Sequence, residues 1–238
     1  MTAPPLHYAF LHLQDPDVAG HSSEWIVNPT TSAYCASVVT MDSRLERVFE
    51  LVDTHPQLRG RTAIILTADH GGAGTNHDHD DPTVPANYTV PFYVWGPGVM
   101  DGANLYRLNP GSRLDPGTNR PPYSDPVQPI RNGEVANVVL KLLGLGPVPG
   151  STIGAAQDLA LTIQPPADFQ LAVTGGLVVA RFSLQTNVLY DIQSTAELPA
   201  GTWSNVVTNL AGPAGSVAQA VVGTAGKPSQ LYRLRLHF

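Results

Sequence analysis

The sequence predicts an α/β domain followed by a small all-β sandwich, and three features of the chain indicate this. Continuous apolar runs alternate with a long amphipathic helix in the first two thirds of the 238 residues. Charged residues make up only 13%, whereas 22 glycines and 22 prolines indicate many turns and ordered loops. After residue 167 helical periodicity stops and short alternating runs begin. We place the boundary at Pro165-Pro166, which gives predicted domains at residues 1–164 and 168–238.

Three apolar runs are the predicted strands of the first domain: "HYAFLHLQ" (7–14), "TAIILTA" (62–68) and "YTVPFYVWG" (88–96). Uninterrupted apolar runs are typical of strands buried on both faces of a parallel sheet. The first two runs end in the acidic motifs "DPD" and "DHGG". We therefore expect a largely parallel sheet flanked by helices, with both motifs at the carboxyl edge, where such sheets bind ligands.

Two helices are predicted in the same domain. The longer covers residues 30–54 and is stopped by the His-Pro pair that follows. The shorter covers residues 133–143 and is stopped by two glycines. Cys35, the single cysteine, lies in the longer helix and is interpreted as a packing residue. Apolar residues recur at three- and four-residue spacing along the longer helix, which predicts a buried face of Tyr34, Val38, Met41, Leu45, Val48 and Val52.

Six short runs with Gly, Asn or Pro between them follow the boundary: "FQLAVTG", "LVVARFSL", "VLYDIQST", "WSNVVTNL", "AQAVVG" and "LYRLRL". This regular spacing predicts a β-sandwich. The module resembles the β-sandwich appendages at the ends of secreted or surface bacterial proteins, which implies a glycan or cell-surface contact and a periplasmic or secreted full-length protein. Trp203 and Tyr232 are candidates for a glycan platform, although core packing is the commoner use of such aromatic residues.

The charge of the chain limits its partners. Its net charge is −6, and no basic cluster is interleaved with aromatic residues, so a nucleic-acid-binding surface is not expected. No apolar run is long enough to span a bilayer. An anionic substrate would need a local cation, either a metal ion or a few placed side chains.

Two Asp-His pairs and one further histidine are the candidate metal ligands. Asp17 and His21 lie four residues apart in "DPDVAGH", on a predicted loop after the first strand. Asp69 and His70 end the second strand, and the two glycines that follow allow the chain to turn so that both side chains converge. His77 follows in the same loop. Five such ligands suit two divalent ions about 3.5–4 Å apart, and mixed nitrogen and oxygen ligands favour zinc.

The rest of that loop is interpreted differently. "NHDHDD" contains Asp78, His79, Asp80 and Asp81 besides His77, and we predict that these four are solvated loop residues rather than ligands.

In order and spacing, Asp17-x-x-Gly-His21, "TADHGG", His77 and "NYTVPFYVWGPGV" resemble the metal-binding half of the alkaline phosphatase superfamily. The likeness is strongest to type I phosphodiesterases and nucleotide pyrophosphatases, and it covers residues 5–160, including "QPIRNGEVANVVLKLLGL" and "VPGS". The resemblance implies hydrolysis of a phosphodiester or phosphomonoester at a two-zinc site. It assigns Asp17, His21 and His77 to one zinc, and Asp69 and His70 to the second.

The same resemblance leaves the nucleophile unassigned. Members of the superfamily take another Asp and a Ser or Thr nucleophile from an N-terminal portion, and no position of this chain matches either. We therefore expect a fragment that is inactive alone and a hydrolase when complete.

Two other functions remain open. A sulfatase-like hydrolase shares Asp69-His70-Gly71, but it would use calcium and an oxidised cysteine. A non-catalytic metal-binding or surface-adhesive protein would keep the half-site as a structural feature only.

Overall fold

The computed structural model describes residues 7–197, 202–226 and 230–237. The chain divides into two compact units, the first made of residues up to Asp101 with Asn109–Leu161, and the second of Gly102–Leu108 with the residues from Thr162 onwards. The predicted class is confirmed, because helices and a short sheet precede a β-rich C-terminal part. Among the described residues no helix is both long and apolar enough to cross a bilayer.

The first unit contains most of the helices. Its elements are α1 (Asp15–Ser23), α2 (Ala33–Thr54), β1 (Ile64–Thr67), α3 (Pro85–Tyr88), β2 (Phe92–Trp95), a 3-10 turn (Asn132–Glu134) and α5 (Val135–Leu142). The one-turn helix α4 (Leu105–Leu108) falls in the second unit. The buried apolar residues of the first unit are Trp25, Val52, Val138, Leu159 and Leu161.

Helix α2 forms where the sequence predicts it. The Ser32 hydroxyl caps its first turn by accepting a hydrogen bond from the Cys35 N–H at 3.1 Å. It ends at Thr54 because a residue before proline, here His55, is held in an extended conformation. The predicted apolar face is buried or half-buried throughout. Beside that face, Phe49 packs edge-on against Trp95 of β2, with ring centroids 5.1 Å apart.

Strands β1 and β2 pair antiparallel, from Ile64 opposite Trp95 to Thr67 opposite Phe92. The prediction of a largely parallel sheet is therefore wrong for this pair. A parallel pair needs a crossover that returns the chain to the starting end of the first strand. The segment between β1 and β2 instead folds back at the end where β1 stops, because the Gly71 N–H donates to the Asn87 carbonyl at 2.9 Å.

The predicted strand at residues 7–14 is also wrong. These residues form neither helix nor strand, and most of their apolar side chains are exposed, at 56% for Tyr8, 74% for Phe10 and 61% for Leu11. A strand requires a neighbour to complete its backbone hydrogen bonds, and none of the described strands pairs with this segment.

The second unit contains two three-stranded antiparallel sheets, with strand orders β3-β4-β7 and β6-β5-β8. The six strands correspond to the six predicted runs, and they are β3 (Gln170–Thr174), β4 (Leu177–Ser183), β5 (Leu189–Thr195), β6 (Ser204–Leu210), β7 (Val217–Thr224) and β8 (Leu231–His237). Their inward side chains form one core around the fully buried Phe182, Tyr190 and Ile192.

The two aromatic residues considered for glycan binding have other contacts in the structure. Tyr232 packs against the core of the second unit, and its hydroxyl donates to Gln230 Oε1 at 2.8 Å. The guanidinium of Arg233 lies 4.3 Å from the centre of the Trp203 ring and covers it. A glycan contact through this unit stays a prediction.

Candidate metal centre

Asp17 and His21 lie on helix α1 rather than on the predicted loop. The helix begins at Asp15, with Pro16 in its first turn, where proline fits because the first N–H groups of a helix have no internal acceptor. A spacing of four residues places two side chains on one helix face. Asp17 Oδ1 consequently lies 3.4 Å from His21 Nε2.

Asp69 and His70 come directly after β1, and His70 turns towards α1. Its Nε2 atom lies 3.5 Å from Asp17 Oδ1 and 3.9 Å from Asp69 Oδ2. The Asp69 side chain is 86% exposed, and its Oδ1 accepts a hydrogen bond from the His70 N–H at 3.1 Å. The structure thus places His70 between the two carboxylates.

Trp25 forms the buried wall of this cluster. It is 5% exposed, and its backbone N–H donates to the Gly74 carbonyl at 2.9 Å, which holds the loop after β1 against it. Three histidine rings stand edge-on to the indole, with centroids 5.6 Å away for His21 and 6.1 Å for both His70 and His79. Trp25 therefore supports the rings and shields them from water on one side.

Backbone carbonyls orient two of the imidazoles. His21 Nδ1 donates to the His77 carbonyl at 2.5 Å, and His70 Nδ1 donates to the Gly71 carbonyl at 2.8 Å. Because each Nδ1 carries the proton, each neutral ring has a free lone pair on Nε2, which is the usual state of a metal-binding histidine. Both Nε2 atoms face the same oxygen, Asp17 Oδ1.

That oxygen indicates that the residues fit a divalent ion. Asp17 Oδ1 is buried and has no hydrogen-bond partner within the described part of the chain. Its distances of 3.4 and 3.5 Å to the two Nε2 atoms are long for a hydrogen bond. Ligand bonds of about 2.0–2.1 Å in a tetrahedral site place neighbouring ligand atoms about 3.3–3.4 Å apart. Each of the two distances suits a pair of ligand atoms on one ion, and the group whose ligand atoms all lie within 4.8 Å of one another is Asp17, His21 and His79.

The structure also brings His79 into this group. One ligand atom from each of Asp17, His21 and His79 lies within 4.8 Å of the others. The His79 ring stacks on that of His70, with centroids 3.5 Å apart and planes at 13°. The sequence predicts a solvated loop residue at this position, whereas the structure places the half-buried His79 ring in the cluster. Its spacing of two from His77 makes it an equal candidate in the sequence, because alternate residues of an extended segment face the same side, but this spacing does not separate the two histidines.

His77 lies at the edge of the cluster. Its side chain is exposed, and its Nδ1 donates to the His21 carbonyl at 2.7 Å. Because His21 Nδ1 also donates to the His77 carbonyl, each imidazole is hydrogen-bonded to the backbone of the other residue. The role of His77 as a ligand stays a prediction.

Asp78, Asp80 and Asp81 are exposed, as expected for loop residues. Hydrogen bonds from the Thr83 hydroxyl and N–H lower the pKa of Asp81.

The comparisons with known proteins agree with this geometry. Residues 2–113 match the family model described as Metalloenzyme superfamily. GPI ethanolamine phosphate transferase 1 of Yarrowia lipolytica is 27% identical over 151 residues, which cover 61% of this chain and 15% of that protein. The protein of the same name from Neurospora crassa is 36% identical over 90 residues, which cover 38% of this chain and 8% of that protein.

The chain thus spans a small part of the length of these curated relatives. No solved structure matches the chain significantly. The family match and the group of Asp17, His21 and His79 together indicate binding of a divalent metal ion. The predicted resemblance to the alkaline phosphatase superfamily is confirmed over residues 2–113, which contain every candidate ligand and match the Metalloenzyme superfamily model.

Proposed function

We propose that the first unit is a metal-dependent domain that binds phosphate esters for hydrolysis or transfer. The observation that carries the proposal is Asp17 Oδ1, a buried oxygen with no hydrogen-bond partner that faces the Nε2 atoms of His21 and His70. A carboxylate oxygen is costly to bury in this state unless a cation neutralises it. The names of the fungal relatives, which are ethanolamine phosphate transferases, support phosphate esters as the substrate class.

Zinc is the proposed ion. Imidazole nitrogens mixed with carboxylate oxygens suit zinc, whereas calcium and magnesium prefer oxygen ligands alone. Asp17, His21 and one of the two loop histidines would hold the first ion, and Asp69 with His70 would hold the second. When bound, the ions supply the positive charge that neutralises the non-bridging oxygens of a phosphate ester.

The chain's own residues contribute binding and orientation to this function. The carbonyls of His77 and Gly71 hold the His21 and His70 rings in one tautomer and one direction. Trp25 excludes water from the side of the cluster that it covers. The proposal assigns no nucleophile in this chain. Hydrolysis and transfer differ only in whether water or an alcohol accepts the group, so both are outcomes of the assay below.

Metal content tests the first part of the proposal. Purified chain, loaded with Zn²⁺ and then dialysed, should retain two zinc ions by mass spectrometry of the metal, and His21→Ala should lose the ion that Asp17 shares. His55→Ala, at the end of α2, is the matched control and should retain both ions. Retention of one ion would reduce the proposal to a single-ion site, and no retention by the wild-type chain would refute it.

Phosphate binding tests the second part. Calorimetric titration with inorganic phosphate should show binding to the zinc-loaded chain and none to the metal-free chain. A model phosphodiester and monoester, each assayed in water and with added ethanolamine after an N-terminal half is supplied, then distinguish hydrolysis from transfer. Zinc-loaded protein that binds no phosphate would show that the site holds metal for another purpose.

A further inference from the structure

Asn132 connects the C-terminal part of the first unit to the strand end that carries two candidate ligands. It is the first residue of the 3-10 turn before α5. Its side-chain Nδ2 donates to the Ala68 carbonyl at 3.1 Å and to the Asp69 carbonyl at 2.9 Å. The Asp69 carbonyl belongs to the peptide bond that joins Asp69 to His70. One amide group therefore fixes the backbone from which both side chains project.

The turn that carries Asn132 is itself anchored by a buried Arg113–Glu134 ion pair, to which the half-exposed Asp158 adds a second carboxylate. Glu134, in the same turn, is 3% exposed and accepts two hydrogen bonds from Arg113, from Nε at 3.1 Å and from Nη2 at 2.7 Å. Arg113 Nη2 also donates to Asp158 Oδ1 at 2.9 Å. Although burial lowers the pKa of Arg113, its hydrogen bonds to the two carboxylates and their negative charge raise it more, so its net shift is upward. The guanidinium stays charged, and the network is maintained.

Such a network restricts the position of the turn. Charges buried together are stable only in the geometry that pairs them, because a displaced partner leaves an uncompensated charge. The adjoining Gly133 allows close packing, since a Cβ atom there would lie 3.0 Å from Ile153 Cδ1. The turn and its Asn132 amide are therefore held in one position, even if the residues after β1 move.

We propose that Asn132 is a positioning residue for the metal centre. It acts through the backbone of Ala68 and Asp69 to hold His70 Nε2 at its distance from Asp17, and the network of Arg113, Glu134 and Asp158 holds Asn132. The inference rests on the proposed function, since it needs an ion at that centre. Binding constellations tolerate displacements of only about 0.5 Å, so loss of this support weakens metal binding without removing a ligand.

Two substitutions of Asn132 test the inference. Asn132→Ala removes both hydrogen bonds, and Asn132→Asp replaces the donor with an oxygen that repels the two carbonyls. Each should weaken Zn²⁺ binding about 10–100-fold, the usual effect of losing a group that orients metal ligands. Titration with Co²⁺ should show altered d–d absorption bands, which report ligand geometry and which a change of overall stability does not shift.

Asn119→Asp is the matched control, because Asn119 also donates through Nδ2 to a carbonyl, that of Pro116 at 3.1 Å, in an exposed loop. It should bind Zn²⁺ and Co²⁺ as the wild-type chain does. Folded Asn132 variants with wild-type affinity and an unchanged cobalt spectrum would overturn the inference and leave the proposed function intact. A wild-type chain that binds neither ion would overturn both.

Hydrogen exchange on the wild-type chain provides a test that needs no variant. Zn²⁺ should slow amide exchange both at residues 68–72 and at residues 131–135, because the strand end and the turn are held together. Protection limited to residues 68–72 would refute the coupling.

Discussion

Gly72→Ala should disrupt the metal centre without touching a ligand. A Cβ atom at residue 72 would lie 2.1 Å from Cδ2 of Trp25 and 2.5 Å from Cε2 and Cε3. An ordinary carbon–carbon contact is about 3.5 Å, so the indole would have to move by about 1.4 Å. The backbone of α1 limits that movement, since a Cβ atom on Gly20 would lie 2.5 Å from the same ring atoms.

The magnitude follows from this overlap. Overpacking of a buried site costs about 1–3 kcal/mol of the free energy of unfolding. A displacement of about 1.4 Å also exceeds the roughly 0.5 Å that a binding constellation tolerates. Because the rings of His21, His70 and His79 rest against the indole, we expect Zn²⁺ affinity to fall at least about 10-fold.

The assay combines unfolding with metal titration in a Trp203→Phe background, so that tryptophan fluorescence reports only the first unit. Gly111→Ala is the control, because a Cβ atom there meets nothing within 4 Å. That change should leave Zn²⁺ affinity unaltered and stabilise the chain by up to about 1 kcal/mol through the unfolded state. If Gly72→Ala binds Zn²⁺ as tightly as Gly111→Ala, the role given to Trp25 is wrong.

Three further predictions concern other parts of the molecule. His79→Ala should reduce Zn²⁺ affinity more than His77→Ala, as measured by calorimetry; the reverse order would restore His77 as the ligand. The hydrogen bond from Arg113 lowers the pKa of Asp158 below 3.8. The stabilisation that this hydrogen bond gives the fold is therefore complete above pH 3.8, and it is lost as the pH falls through the lowered pKa of Asp158. Asp158→Asn should therefore give a melting temperature that falls less steeply below pH 3.8 than the wild-type value does. Phe182→Ala should cost the second unit about 3–5 kcal/mol by urea unfolding, whereas the exposed Val221→Ala should cost little.

The parts of the fold that could be predicted are those set by local sequence. Helix α2 has a serine cap, a regular apolar spacing and a His-Pro stop, and each of these acts within a few residues. The six strands of the second unit are likewise separated by residues that favour turns. Strand pairing in the first unit depends instead on contacts between distant residues. The hydrogen bond from Thr67 Oγ1 to the Pro91 carbonyl, at 2.7 Å, is one contact that fixes the antiparallel return.

The candidate site likewise combines features that local sequence predicts with features that depend on contacts between distant residues. The types of ligand and the two Asp-His pairs are visible in the sequence, because Asp17-His21 and Asp69-His70 are each local. The choice between His77 and His79 is not visible, since residues two apart face the same side of an extended segment. That choice depends on which ring stacks against His70. The support from Asn132 joins positions more than sixty residues apart and has no sequence signature.

The charge balance of the first unit favours a metal ion over side chains as the cation for an anionic substrate. Several guanidinium groups of this unit already have partners. Arg113 is paired with Glu134 and Asp158, Arg44 with Asp15, and Arg131 with Gln128 Oε1 at 2.7 Å. Redirecting Arg113 to a phosphate ester would leave Glu134 buried without its partner, at a cost of about 3–5 kcal/mol.

The imidazoles around Asp17 would supply positive charge at the candidate site by holding a metal ion. Neutral imidazoles carry no charge of their own, and Asp17 adds a negative one, so without an ion this cluster repels a phosphate in a chain whose net charge is already −6. A bound divalent ion reverses that sign at the point where Asp17, His21 and His79 converge. Phosphate binding should therefore depend on metal in an all-or-none manner. Neutralisation of Asp17 by Asp17→Asn should not restore phosphate binding to the metal-free chain, because it removes repulsion without adding a cation.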